Sequence, residues 1–502
     1  MALLVMNDET RKSMEKFSTA LPITPSNEAA RHDPYLAPEE EFVHPISLVN
    51  RSDPDTMYLH EAMRQPDRHK FIEAMEKEVH DHVSRRHWKV VPRSSVPEGV
   101  KVLPSVWSMK RKRRIMSREV YKWKARLNVH GGKQEHGVNY WETYAPVVTW
   151  ASLRLVLILS LIYKWHTRQI DFVLAYPQAD VECDIYMEIP QGFQTGNESP
   201  DELKYDGKRN KRKSPFVLKL LKNVYGQKQA GRVWNKHLHK GLIQLGFQQS
   251  AIDECVYYRG NLIYLCYVDD SIATAPTKEE VNEFLDELKQ KFDVTDEGDL
   301  NDFIGVNITR HEDGKIELSQ PHLIEQILRD LNFQHDTKKV NTPGKPDHVL
   351  RKNEGAPPHK ADWHYRSIIG KLNFVEKSSR PDIANPVHQC ARFSADPREP
   401  HTDAVRRICR YLAGTKDRGI IMDPNDQEFE VFVDADFCGL WDKDTAIHDP
   451  STAKSRTGFI IKYAGCPVIW ASRLQTETAL STTEAEYIAL STALREANSQ
   501  GA

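Results

Sequence analysis

Two adjacent acids, Asp269 and Asp270, stand at the tip of a predicted hairpin, Asn261 to Ala275, whose arms Leu262–Val268 and Ile272–Ala275 are almost entirely apolar. Apolar arms imply burial, and neighbouring buried carboxylates repel each other and lose hydration unless a cation or donor neutralises them. A hard divalent ion is the simplest remedy. Magnesium takes one or two carboxylates and leaves its other octahedral positions to water and phosphate oxygens, the coordination that nucleotidyl transfer requires. An Asp pair is also ordinary turn chemistry, so the pair alone decides nothing. Well upstream, Asp171 closes a strand that begins Thr167-Arg168-Gln169-Ile170, and Tyr176 follows five residues later.

Those residues must be held beside whatever they act on, and the charge pattern bears on what that is. Lys and Arg (69) nearly cancel Asp and Glu (71), but the balance hides segregation. Lys101 to Arg126 holds ten basic residues and one acid, Glu119; Lys204 to Lys240 holds twelve and one, Asp206; Met1 to His82 is acidic, sixteen to nine. Concentrated basic runs are what a polyanion groove needs, because phosphate contacts must be local to release counterions together. A solvated charged face would read the same way.

At 502 residues, 39% hydrophobic and 28% charged, the chain has about three domains' worth of globular sequence. The longest apolar run, Leu155 to Tyr163, is too short to cross a bilayer, so no membrane partner is expected. Met1 to Glu9 lacks the basic flank and cleavage site of a secretory signal, so the protein is expected to stay inside the cell. Seven scattered cysteines form neither a disulfide framework nor a zinc pattern and read as reduced packing residues.

Six prolines between Pro22 and Pro54 make the start an extended or disordered lead-in. A helix over 60–84 is interrupted by Pro66. A basic, half-buried sheet follows over 88–129, then an apolar helix over 150–166, a strand over 167–175 and a lysine-rich surface loop over 196–215. Helices are predicted over 225–245, 278–293, 320–332 and through 365–414, and the last segment, 429–502, carries three strands and a helix.

Several ordered blocks carry a family likeness. Tyr267-Val268-Asp269-Asp270 and Gln169-Ile170-Asp171 with Ala175-Tyr176 are joined by Lys124-Ala125-Arg126-Leu127, Tyr144-Ala145-Pro146-Val147-Val148, and Tyr225-Gly226-Gln227-Lys228-Gln229-Ala230-Gly231-Arg232 with Trp234. Further on stand Phe303-Ile304-Gly305, Asn341-Thr342-Pro343, Arg380-Pro381-Asp382-Ile383 and Arg410-Tyr411-Leu412. In this order, across about 58 to 502, they resemble the reverse transcriptase part of the Pol polyprotein of copia-type (pseudoviral) LTR retrotransposons. Gln227 stands where that family usually has Leu.

The resemblance implies an α+β right-hand polymerase. The lead-in would be 1–57, fingers and an antiparallel-sheet palm 58–300, thumb and connection 301–425, and a partial RNase H-like α/β domain 426–502. Asp171, Asp269 and Asp270 would be the catalytic carboxylates and the ligands of Mg2+, with Mn2+ as the substitute. Lys124 and Arg126 would hold the incoming triphosphate, Tyr176 would be the steric gate against a ribose 2′-hydroxyl, and Gln229 would help shape the nucleotide pocket. The plainer alternatives are a core aromatic at Tyr176 and a helix-surface amide at Gln229. Lys110 to Arg114 and Lys208 to Lys213 read as nonspecific backbone contacts or solvated loops. Expected partners are an RNA template, a DNA primer, the RNA–DNA hybrid and dNTPs, with other Gag and Pol products as candidates. The expected location is the cytoplasm, in a virus-like particle, with nuclear entry left open. The competing reading is a degenerate or domesticated remnant that binds nucleic acid without polymerising.

At the C-terminal end, Phe429, Val431 and Val433 alternate into Asp434-Ala435-Asp436, and a hairpin is expected around Ala464-Gly465. Phe437 replaces the Trp usual after Asp-Ala-Asp. Ser481 with Glu484 fits a capping box, so Glu484 is read as structural. By resemblance, Asp434 and Glu486 would be the strand and helix acids of a vestigial RNase H site. The sequence ends at Ala502, before a further strand acid, and this chain alone is expected to lack RNase H activity.

Overall fold

The computed structural model describes residues 55–501 apart from 114–118, 197–202, 208–212, 334–336, 346–349, 353–354, 426–427, 444–446 and 448. The lead-in up to 54, Arg114, the basic run over 208–212 and Ala502 therefore lie outside the described residues. The architecture is mixed α+β.

At its centre is a six-stranded, wholly antiparallel sheet. Its order is Gln248–Gln249, Val256–Arg259, Leu262–Tyr267, Asp270–Ala275, His166–Phe172, Val294–Gly298. The hairpin arms are buried on both faces, as the near-continuous apolar run of a central strand pair demands. Helix Trp150–Ile162 is apolar nearly all round, with Leu153, Val156, Leu157 and Ile158 all buried in the core shared with this sheet. Its start is fixed by Thr149, whose hydroxyl accepts the Ser152 N–H at 3.1 Å.

The basic segment forms two further sheets. In the first, Ser105–Arg113 pairs with Val120–Val129 so that Lys110 lies opposite Lys124 and Ser108 opposite Arg126. Helix Arg68–Ser84 covers the other side, burying Phe71, Met75 and Val79 against Leu127 and Trp107. Alternation along the strand thus sends Leu127 to the core and Lys124 and Arg126 to the opposite face. The second basic sheet includes Trp88–Pro92, Phe216–Leu220 and Tyr186–Glu188. Further along, helices Pro321–Asp330, Tyr365–Ser378, Ala384–Ala391 and Glu399–Gly414 build a separate apolar core.

The C-terminal strands Phe429–Ala435, Arg456–Tyr463 and Cys466–Leu474 form a three-stranded antiparallel sheet in that order. Helix Thr482–Gly501 lies on it through Ala485, Ala489, Ala493 and Ala497, all buried; side chains this small at every fourth position allow close approach. The hairpin expected at Ala464-Gly465 is present, with φ +53 and +75. Phe459, Ile461, Ala493 and Ala497 form a small core within this segment, while Ala464, Cys466 and Val468 belong to the same core as the six-stranded sheet. Arg154, on the apolar helix, is buried there and donates to the carbonyls of Val468 (2.7 Å), Ser378 (3.1 Å) and Lys377, its guanidinium 4.0 Å from the Trp470 ring.

Three element predictions differ in detail. The strand over 167–175 ends at Phe172, because Leu174 adopts φ +50 and opens a short helix, Ala175–Gln178. The helix over 225–245 begins at Ala230, after a turn at Gly226 with φ +87. The lysine-rich loop contains a strand, Leu203–Tyr205, paired with Phe193–Thr195.

Candidate active site

The hairpin turn consists of Val268 and Asp269 alone, since Tyr267 and Asp270 are already paired across it. Val268 has φ +57, a region that a β-branched side chain enters only when neighbours over-determine it. Two hydrogen bonds do so. The Trp234 indole donates to the Val268 carbonyl at 2.6 Å, and the Phe172 N–H donates to the Asp269 carbonyl at 2.9 Å. The second bond sets Asp269 beside Asp171, while Asp171 and Asp270 are direct partners across the strand pair. An adjacent acid pair and a third acid about a hundred residues upstream are thereby brought to one end of the central strands.

Their electrostatics record the proximity. Burial, then Asp269 and Asp171, push the Asp270 carboxyl up to about 7, against a weaker opposing pull from Lys112. Asp171 is also raised, by burial, Asp269 and Glu297, with Lys124 and Lys112 opposing. Among the described residues no three His, Cys, Asp or Glu side chains close into a ready-made cation cage. The aspartates share a sheet end rather than enclose one point, as expected of a site whose remaining ligands come from water and substrate.

Facing them is the cationic side of the Val120–Val129 strand. Burial and repulsion from Arg126 and Lys112 lower the Lys124 amine to about 8, and Glu78 and Asp269 hold it up. Arg126 is buried and lies over the Tyr225 ring, its guanidinium carbon 3.5 Å from the centroid. Tyr176 sits on the short helix after Asp171 with its ring against Tyr225, and its phenol is pushed up to about 12 by burial and by Asp269.

Gln229 is neither on a helix surface nor open to a pocket. It is buried, its Oε1 accepts from the Gln134 amide at 3.0 Å and its Nε2 donates to the Asn139 carbonyl at 3.4 Å. Trp234 and Tyr225, quoted above only as parts of a motif, are the residues that touch the site. A tryptophan four residues into an amphipathic helix signals burial, but nothing in the sequence says that its N–H caps the hairpin.

Asp434 and Glu486 are both exposed. Val431 and Val433 pack toward helix Thr482–Gly501, so strand alternation puts Asp434 on the other face of its strand. Glu486 lines an open cleft with Val433, Thr482, Thr483, Tyr487 and Leu490.

Residues 85–346 match the family described as reverse transcriptase (RNA-dependent DNA polymerase). The chain is 31% identical over 464 residues to the retrovirus-related Pol polyprotein from transposon TNT 1-94 of Nicotiana tabacum, covering 90% of this chain and 32% of that one. It is 31% identical over 457 residues to the corresponding polyprotein from transposon RE1 of Arabidopsis thaliana, covering 90% and 29%. A foamy viral protease-reverse transcriptase solved with double-stranded DNA aligns over 86% of this chain and 61% of that one, at 12% identity and a TM-score of 0.45, too slight a likeness to bear on the fold. The fold and the acid-tipped hairpin thus stand in a protein of the polymerase class. The chain belongs to the reverse transcriptase family, is similar to retrotransposon Pol polyproteins, and spans about a third of the length of the plant relatives it matches.

No helix among the described residues is long and apolar enough to cross a membrane.

Proposed function

We propose that the chain is an RNA-directed DNA polymerase that extends a primer 3′-hydroxyl with dNTPs. The observation that carries this reading is the pairing of Asp171 with Asp270 beside an Asp269 fixed by the Phe172 N–H. In this reading the six-stranded sheet is the palm, the basic sheets before it the fingers, and the helices after 301 the thumb and connection. The strands from 429 with the final helix are a partial RNase H-like unit.

Asp171, Asp269 and Asp270 would hold Mg2+, or Mn2+ in its place. The donor set fits: all ligands are hard oxygens, and a carboxyl held at about 7 by burial and two neighbouring carboxylates is one that a divalent ion would ionise. Bound there, the ions supply activation of the attacking hydroxyl and neutralisation of the leaving pyrophosphate. Lys124 and Arg126 bind the triphosphate, the guanidinium by paired N–H groups. Tyr176 occupies the space that a 2′-hydroxyl would need. The buried Gln229 amide braces the 134–139 loop instead of contacting the nucleotide. The hydroxyl oxygen gives up its proton to solvent and attacks the α-phosphorus in line, the bond to the bridging oxygen breaks, and pyrophosphate leaves with that electron pair.

The proposed partners are an RNA template, a DNA primer and their hybrid, together with other Gag and Pol products in a cytoplasmic particle. Primer extension on poly(rA)·oligo(dT) with MgCl2 tests the assignment. The wild type should extend and Asp269→Asn should not; extension unaffected by the substitution rules out the site. A wild type that binds hybrid without extending it would instead favour the remnant reading.

A further inference from the structure

Among the described residues, Arg126 is held without a carboxylate within ion-pair reach. Its guanidinium rests on the Tyr225 ring at 3.5 Å, and Glu78 is near enough to act on it only through space. A carboxylate clamp would neutralise the cation and occupy its N–H fork; an aromatic clamp orients the guanidinium and leaves the fork open to phosphate. The same ring meets Tyr176, with centroids 4.8 Å apart and planes inclined 41°. Tyr225 is therefore wedged between the group assigned to the triphosphate and the group assigned to the sugar.

The wedge cannot drift. The Tyr225 carbonyl accepts the Val129 N–H at 2.8 Å, tying it to the strand that carries Arg126. A Cβ on Gly226 would stand 2.2 Å from the Val129 carbonyl oxygen, and one on Gly131 would stand 2.1 Å from the Gly226 carbonyl oxygen, so both positions must lack a side chain for the turn to lie flush. The Tyr225 hydroxyl is buried and has no hydrogen-bond partner among the described residues. What the position uses is the ring.

We propose that Tyr225 is a positioning residue for nucleotide selection, holding Arg126 and Tyr176 at a fixed separation so that a triphosphate seated on one places its sugar against the other. This rests on the polymerase reading. It is tested by steady-state extension of oligo(dT) on poly(rA) with dTTP and with UTP, using the full chain and the variants Tyr225→Phe, Tyr225→Leu and Tyr225→Met. The ring-free Leu and Met variants should raise the KM for dTTP about tenfold, the scale of one lost buried cation–π contact, with a smaller change in kcat. They should also narrow the preference for dTTP over UTP, and Phe should restore both quantities.

If Leu or Met keeps the wild-type KM and sugar preference, the inference is overturned. It is equally overturned if Phe behaves as they do, which would assign the effect to the hydroxyl. Met, closer to Tyr in length, serves if Leu fails to fold, and a thermal melt of each variant identifies that case; failure of both to fold overturns the selective role in favour of a structural one. A wild type that does not extend the primer removes the polymerase reading and this inference together, whereas a wild type that extends with unaltered variants removes this inference alone.

Discussion

The hairpin at 262–275 and the three-stranded sheet beginning at Phe429 both present acids from a strand, yet their settings are opposite. Asp171 and Asp270 sit on neighbouring interior strands, with partners on both sides, and Asp269 is pinned by the Phe172 N–H. Asp434 lies on an outer strand paired only with Arg456–Tyr463 among the described residues, exposed and on the face away from the helix that carries Glu486. Interior strands desolvate carboxylates and force them together, which creates the demand for a cation; an outer strand leaves them in water.

The largest expected effect separates the two regions outright. Asp269→Asn should lower primer extension by at least about a hundredfold, since even outer-shell changes at metal sites cost roughly 10–100-fold. The unaltered 502-residue chain should show no metal-dependent cleavage of an RNA·DNA hybrid, and cleavage at any clear rate would break the contrast. Next in size, Arg154→Met strips donors from three carbonyls, two of them buried, and should cost about 2–4 kcal/mol in urea denaturation, with unfolding of both regions together. Separate transitions would show the regions to be independent. Trp234→Phe keeps a ring in the core and removes the indole donor to Val268; a loss of about 1 kcal/mol is expected, with kcat falling more than the melt suggests because the turn is then held by one bond instead of two.

The smallest effect is on pH. Asp270 titrates at about 7 in the folded chain against an ordinary 3.8, so the folded state binds more protons between those values, and the metal-free protein loses stability as pH rises from about 4 to 7. MgCl2 should therefore raise the melting temperature by a few degrees more at pH 8 than at pH 5. Equal shifts at both pH values would count against a shared cation at these carboxylates.

The Asp269-Asp270 pair was legible because near-continuous apolar runs flank it: Leu262–Tyr267 and Ile272–Ala275 announce a central hairpin. The likeness of the ordered blocks then supplied roles that spacing could not. What stayed hidden depends on contacts between distant segments. Gln229 reads the same in sequence whether its amide faces solvent or Gln134. Tyr225 looks like a turn residue until Arg126 is seen above it. The division proposed at 426 follows a change in pattern, but Ala464 and Val468 join the earlier core, and no local feature of either segment records that.

That joint core has a consequence for how the polypeptide matures. Arg154 waits for a carbonyl 314 positions later, at Val468, before its set of three acceptors is complete. At ~5–20 residues per second, a ribosome needs roughly 15–60 s to cover that interval. Throughout it, one side of the nascent apolar helix lacks this contact, so a segment some three hundred residues downstream governs when the helix can finish packing.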